Sequence, residues 1–81
     1  MEFEQFVAVR GPALVRTAWL LTGDPHRAQD LVQTTLAACW PRWSRIEDAD
    51  PEGYVRRTMT RSFARSWRRR WNGEVPTETL P

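Results

Sequence analysis

Residues 50–71 read DPEGYVRRTMTRSFARSWRRRW. Val55, Met59, Ser62, Phe63 and Trp67 recur every three or four residues, the period of a helix with one face turned inward. Arg57, Arg61, Arg65 and Arg68 follow i, i+4, i+8 and i+11 on another side, so their side chains share one stripe. Asp50 can cap the free amides of the first turn, and Pro51 suits the first helical position, where no N–H is required. The pattern predicts a helix from Pro51 to about Trp71, stopping near Asn72-Gly73.

Working outward, Asp24-Pro25 repeats the same device. From there Ala28, Leu31, Val32, Thr35, Leu36 and Cys39 trace an apolar face, which predicts a helix over 25–40 ended by Pro41. Upstream, Phe3, Phe6 and Val7 form one stripe and Leu14, Ala18 and Leu21 another, with Gly11-Pro12 between them. This predicts a short helix over 2–9 and a second over 12–22, with Gly23 free to take the left-handed conformation beyond it. Pro41–Asp50 reads as a loop with room for a turn of helix. Residues 74–81, EVPTETLP, are acidic, hold two prolines and carry no core pattern, as a linker does. There is no internal repeat and no strand-period stretch. The expected fold class is all-α, a compact bundle of three to four helices.

Eighty-one residues suffice for one domain with a modest core, and 41% hydrophobic residues exclude a disordered polar tail. No apolar run approaches the ~20 residues of a membrane span. The opening MEFEQF is acidic and already patterned, unlike a signal peptide, and Cys39 is the sole cysteine, which suits a cytoplasmic location. His26, the one histidine, stands beside Pro25 at a helix start and is expected to be a solvated surface residue. No catalytic or metal-binding set remains. The expectation is a protein that is not an enzyme and uses no cofactor, membrane or small-molecule substrate.

The distribution of charge says more than its net of +2. All 12 basic residues are arginine. Residues 51–73 carry a local net of +6, whereas residues 1–50 and 74–81 each carry −2. Like charges at helical spacing repel by a few tenths of a kcal/mol per pair, and a polyanion relieves this. Arginine's planar fork suits phosphates and guanine edges. A solvated basic face would be the plain alternative, but no acid is interleaved in the stripe. RNA, DNA and an acidic protein all suit such a surface.

Tryptophan is abundant, at positions 19, 40, 43, 67 and 71, and most of these are expected in the core. Trp43 stands apart because it lies between Arg42 and Arg45 in the loop. Its indole could stack on an unpaired base while the arginines hold phosphates, or it could pack inward. On the preceding helix Asp30 and Gln33 lie side by side, with Arg27 and Thr34 nearby, on a polar face able to hydrogen-bond a partner helix.

Taken in order, LLTGDPHRAQDLVQTTL (20–36), CWPRW (39–43) and DPEGYVRRTMTRSFARSWRRRW (50–71), with the trailing EVPTETLP, resemble region 2 of bacterial sigma factors of the extracytoplasmic-function (ECF) group. The likeness is greatest to the actinobacterial SigE-type members and covers essentially the whole chain. It implies a sigma region 2 domain over 1–73 and, in 74–81, the start of a linker to a region 4 not contained in this chain. It implies that Asp30-Leu31-Val32-Gln33 matches the family's D-x-x-Q pattern, so that Asp30 and Gln33, with Arg27 and Thr34, face the β′ clamp helices of RNA polymerase core. It further implies that the loop and last helix recognise and melt the promoter −10 element. Arg42, Trp43, Arg45, Arg57, Arg61, Arg65 and Arg68 are then the DNA-binding candidates, and Arg42–Ile46 the site of a pocket for a flipped base. An anti-sigma factor is a further possible partner. Two departures bear on base preference: Arg61 stands where many ECF members carry Asn, and Arg65 where they carry Asp.

The alternative from another class is a basic helical interaction module that binds RNA or an acidic protein, without a promoter role. A stand-alone helix-turn-helix repressor is disfavoured, because about ten residues separate the basic helix from its predecessor rather than a tight turn.

Overall fold

Pro12 does not break the first helix. In the computed structural model, which describes residues 1–70, helix α1 runs unbroken over Phe3–Thr22 with Pro12 inside it. The two helices expected over 2–9 and 12–22 are therefore one. Phe6, Leu14 and Ala18 are all buried, and Arg10 fills the vacant place in that i, i+4, i+8, i+12 row. The two apolar stripes are in register across the proline, so one helix buries both. An internal proline costs about 3 kcal/mol, and burying side chains of the size of Phe6 and Leu14 returns about 1.5–3 kcal/mol each. Pro12 and Ala8 are exposed, so the carbonyl that lacks its amide partner lies on the solvent side.

Glu2 and Gln5 form a reciprocal capping box at the start of α1. Gly23 ends the helix at φ 70°, its N–H donating to the Trp19 carbonyl at 2.7 Å. Glycine adopts that left-handed conformation without steric cost, and the chain reverses there. Helix α2 spans Pro25–Cys39 and opens on Asp24, whose carboxylate accepts the Arg27 amide at 3.0 Å. That hydrogen bond holds the Asp24 carboxyl below its ordinary range.

Pro41–Asp50 is more ordered than a loop. Trp40–Arg42 form a 3-10 turn, and Trp43–Ile46 a single helical turn, α3. Through that turn Trp43 and Ile46 reach the core. The last helix, α4, spans Pro51–Arg69, with Asp50 accepting the Gly53 amide at 3.1 Å. The remaining expected end of this helix, Trp71, and the linker stretch 74–81 lie outside the described residues.

Three long helices and one short one thus make up the described residues, and no strand occurs among them. The core joins Leu14 and Ala18 of α1, Leu31, Val32 and Leu36 of α2, Trp43 and Ile46 of α3, and Val55 and Met59 of α4. Thr35 is wholly buried on α2, its hydroxyl satisfied by donation to the Leu31 carbonyl at 2.7 Å. Cys39 is a free, buried thiol, and burial pushes its pKa up. No described helix is long and apolar enough to cross a membrane.

Fewer tryptophans lie in the core than expected: among the described residues Trp43 is buried at 7% exposure, while Trp19, Trp40 and Trp67 are 47%, 56% and 49% exposed. Trp43 packs its ring against Phe3 and Phe6, at centroid distances of 5.3 and 5.0 Å, and its indole N–H donates to the Met1 carbonyl at 3.0 Å. Of its two possible roles, the structure places it in the packed one.

Candidate nucleic-acid and polymerase interfaces

Helix α4 turns Val55 and Met59 fully inward and leaves Arg57, Arg61, Arg65 and Arg68 exposed along its length. Among the described residues no acidic side chain pairs with any of these four. The inward row loosens toward the C-terminus: Ser62 and Phe63 are half-buried, and Trp67 is half-exposed. These last turns of α4 face the end of α1 and the start of α2 across an open groove, lined by Leu21, Thr22 and Arg27 on that side.

Arg56 has a different fate. Glu52 accepts from both Arg10 of α1 and Arg56, the latter at 3.2 Å, and Arg56 also donates to the Thr17 hydroxyl at 2.9 Å. The hydrogen bond from Arg10, joined by that from Arg56, holds the Glu52 carboxyl below its ordinary range. This network bolts the first turn of α4 to α1 and withdraws Arg56 from the basic face. The sequence shows the residues but no sign of the bond, because Arg10 and Glu52 are separated by 42 positions.

Beside that anchored turn a pocket of about 340 Å³ opens between α3 and α4. Arg42, Arg45 and Arg57 stand around it with Ile46, Asp50 and Tyr54. Three of the arginines singled out in the sequence therefore converge. Arg42 donates to the Tyr54 hydroxyl at 3.3 Å, which closes one side. Gly53 permits the tight approach: a β-carbon there would collide with the Asp50 carboxylate and lie 3.1 Å from the Arg57 guanidinium. The volume lies in the range of small-ligand sites, about 300–1,000 Å³. Tyr54 and Asp50 were not singled out as site residues. The signal available for Tyr54 was an aromatic at the start of the last helix, and its role as a pocket wall needs the α3 turn opposite.

The second patch lies elsewhere. Arg27, Asp30, Gln33 and Thr34 are all exposed on the outer side of α2, as the helical spacing required. Arg27, Asp30 and Thr34 also border a groove of about 360 Å³ shared with the distal turns of α4. Among the described residues no cluster of His, Cys, Asp and Glu could hold a metal ion.

Residues 6–73 match Sigma-70 region 2. The chain belongs to the sigma-70 region 2 family. Curated relatives named RNA polymerase sigma-E factor are 48% identical to it in Streptomyces coelicolor, 45% in Streptomyces avermitilis and 46% in Streptomyces antibioticus. Each alignment covers all of this chain and 46% of the relative, so the chain spans about half the length of the relatives it matches. No solved structure matches it. These likenesses agree with an ECF-type region 2, and the all-helical bundle is the fold that membership implies.

Proposed function

We propose that this chain is the part of a bacterial transcription initiation factor that docks on RNA polymerase core and recognises and melts the promoter −10 element. The observation that carries the reading is the pocket ringed by Arg42, Arg45, Arg57 and Tyr54 at the head of an exposed arginine stripe. Arg57, Arg61, Arg65 and Arg68 hold phosphates of the DNA backbone, which positions the strand without specifying it. A base of the non-template strand turns into the pocket, and its stacking and polar contacts offset an unpairing cost of a few kcal/mol. Trp43, packed in the core against Phe3 and Phe6, does not stack on the base. Asp30 and Gln33, with Arg27 and Thr34, meet the β′ clamp helices and raise the effective concentration of the basic helix at promoters.

In this reading the domain extends over 1–73, and 74–81 begin a linker to a region 4. The protein works in the cytoplasm and makes or breaks no covalent bond. An anti-sigma factor would act by covering either face. The test pairs the chain with core polymerase on a promoter duplex carrying a fluorescent adenine analogue in the −10 element. Unstacking should raise the fluorescence with the parent chain, and Asp30→Arg or Tyr54→Ala should suppress the rise. Equal binding to RNA and to promoter DNA, with no response to core polymerase, would favour the basic interaction module instead.

A further inference from the structure

The groove between α2 and α4 is positive: Arg27, Arg69 and Arg70 line it against Asp30 alone, which leaves an excess of two positive charges. Its floor is apolar, with Leu31 of α2 and Phe63 of α4, and Leu21 borders it from α1. The last described residue, Arg70, is one of its walls. The chain continues as WNGEVPTETLP over 71–81, which lie outside the described residues. From Glu74 onward that segment carries two acids and no base, with Val75 and Leu80 as its apolar members. Segment and groove are complementary in charge and in apolar character, and they are joined end to end.

We propose that residues 74–80 of this chain fold back along α4 and occupy the groove between α2 and α4. The carboxylates of Glu74 and Glu78 neutralise its excess charge, and Val75 and Leu80 cover Leu31 and Phe63. Reach is sufficient. The groove wall from Ser62 to Arg70 runs about 12 Å, at 1.5 Å per helical residue. Glu74 to Glu78 spans about 13 Å when extended. Reversal after α4 falls at Asn72-Gly73, residue types that accept the left-handed conformation with which a chain turns away from a helix end. Pro76 favours an extended backbone and has no amide to leave unpaired. The stripe at Arg61, Arg65 and Arg68 offers charge, but the helix places Ala64 beside it rather than a large apolar side chain. The contact need not be strong, because a short tether supplies an effective concentration of order mM. The consequence is regulatory. Asp30 and Thr34 border the same groove, so the segment shields part of the face given to polymerase docking and leaves when that face is engaged. This consequence rests on the docking reading; the fold-back itself does not.

The test uses the 81-residue chain with Cys39→Ala and Thr79→Cys, a nitroxide on the thiol at position 79, and paramagnetic broadening of amide NMR signals as the readout. Broadening should be strongest at Leu31, Thr34, Ser62 and Ser66. It should fall at least about twofold when Glu74→Gln and Glu78→Gln are added together, or Val75→Ser and Leu80→Ser. Amide shifts of the unlabelled parent against the double glutamine variant report the same contact with Cys39 intact, and should change at those four residues. Equal broadening in all three chains reflects the tether alone and overturns the proposal. A maximum at Arg57, Arg61 and Arg65, or at Trp19 and Leu20, seats the segment elsewhere and also overturns it. So does broadening of an isotope-labelled chain by a separate spin-labelled copy, which assigns the contact to two molecules. Binding of core RNA polymerase, without promoter DNA, then tests the consequence. The double glutamine variant should bind about three- to tenfold more tightly than the parent, because the competent state is no longer partly occluded. Unchanged binding overturns the shielding. Absence of binding by either chain overturns the docking reading, while the NMR result still decides the fold-back.

Discussion

Trp40 and Trp43 differ by three positions and by a large difference in burial, 56% against 7% exposure. Replacing Trp43 with Ala opens a cavity among Phe3, Phe6 and the helices above and should cost about 3–5 kcal/mol. Trp40 loses chiefly a tilted ring contact with Phe3 at 4.9 Å, so its replacement should cost about 1 kcal/mol. Urea unfolding of the two variants measures the contrast directly, and equal losses would contradict the burial described. The arginines of the stripe answer to a different measurement. Each phosphate contact removed by Arg57→Ala, Arg61→Ala, Arg65→Ala or Arg68→Ala should lower the slope of log K against log salt by ~0.7 on single strands and ~0.9 on duplex. Arg56→Ala should leave that slope near the parent value, because Glu52 and Thr17 already engage its guanidinium. Its effect should appear in stability instead.

Helix α1 holds the clearest conflict between a local preference and a packed element. Pro12 has no amide to donate, yet the helix continues because the buried row from Phe6 through Leu14 to Ala18 requires both halves to stay in phase. Pro12→Ala should therefore stabilise the domain. The gain from restoring the helical bond, up to about 3 kcal/mol, is reduced by the ~0.4–1 kcal/mol that proline removes from unfolded-chain entropy. A higher denaturation midpoint with unchanged helix content would bear this out. A lower midpoint would mean that the proline shapes α1 in a way the packing needs. Helix α4 illustrates the opposite case, in which every local signal agrees. Asp50, Pro51 and the apolar period of Val55 and Met59 all point to one helix, and it forms where they place it.

At the scale of the whole molecule, the Glu52 network that ties α4 to α1 carries a pH signature. Glu52 sits below its ordinary carboxyl value of 4.5 because Arg10, and then Arg56, donate to its charged form. A depressed carboxyl contributes stability that is fully present above the unfolded-state value and is lost as pH falls through the folded one. Glu52→Gln should lower the melting temperature at neutral pH, and the gap to the parent should close in acid below about pH 4.5. A gap that persists in acid would assign the effect to packing rather than to charge. Because the tie holds the first turn of α4, the same variant should also loosen the pocket at Tyr54 and Arg57.

What the sequence by itself determined was local: where α2 and α4 begin, which of their faces turn inward, and which arginines and polar residues stand outside. Those follow from caps, prolines and a 3.6-residue period, all of which act within a few positions. The exposed arginines and the Asp30-Gln33 face were legible for that reason. Only the tertiary structure decided the continuity of α1, since phase across Pro12 matters only when both stripes face one core. Burial of Trp43 likewise required Phe3 and Phe6, which arrive from the opposite end of the domain. The pocket needed α3 set against α4, and the Glu52 network needed α1 laid beside α4. Contacts between residues about 40 positions apart leave no periodic trace in a chain, because the energy that selects them comes from packing that exists only after the helices have met.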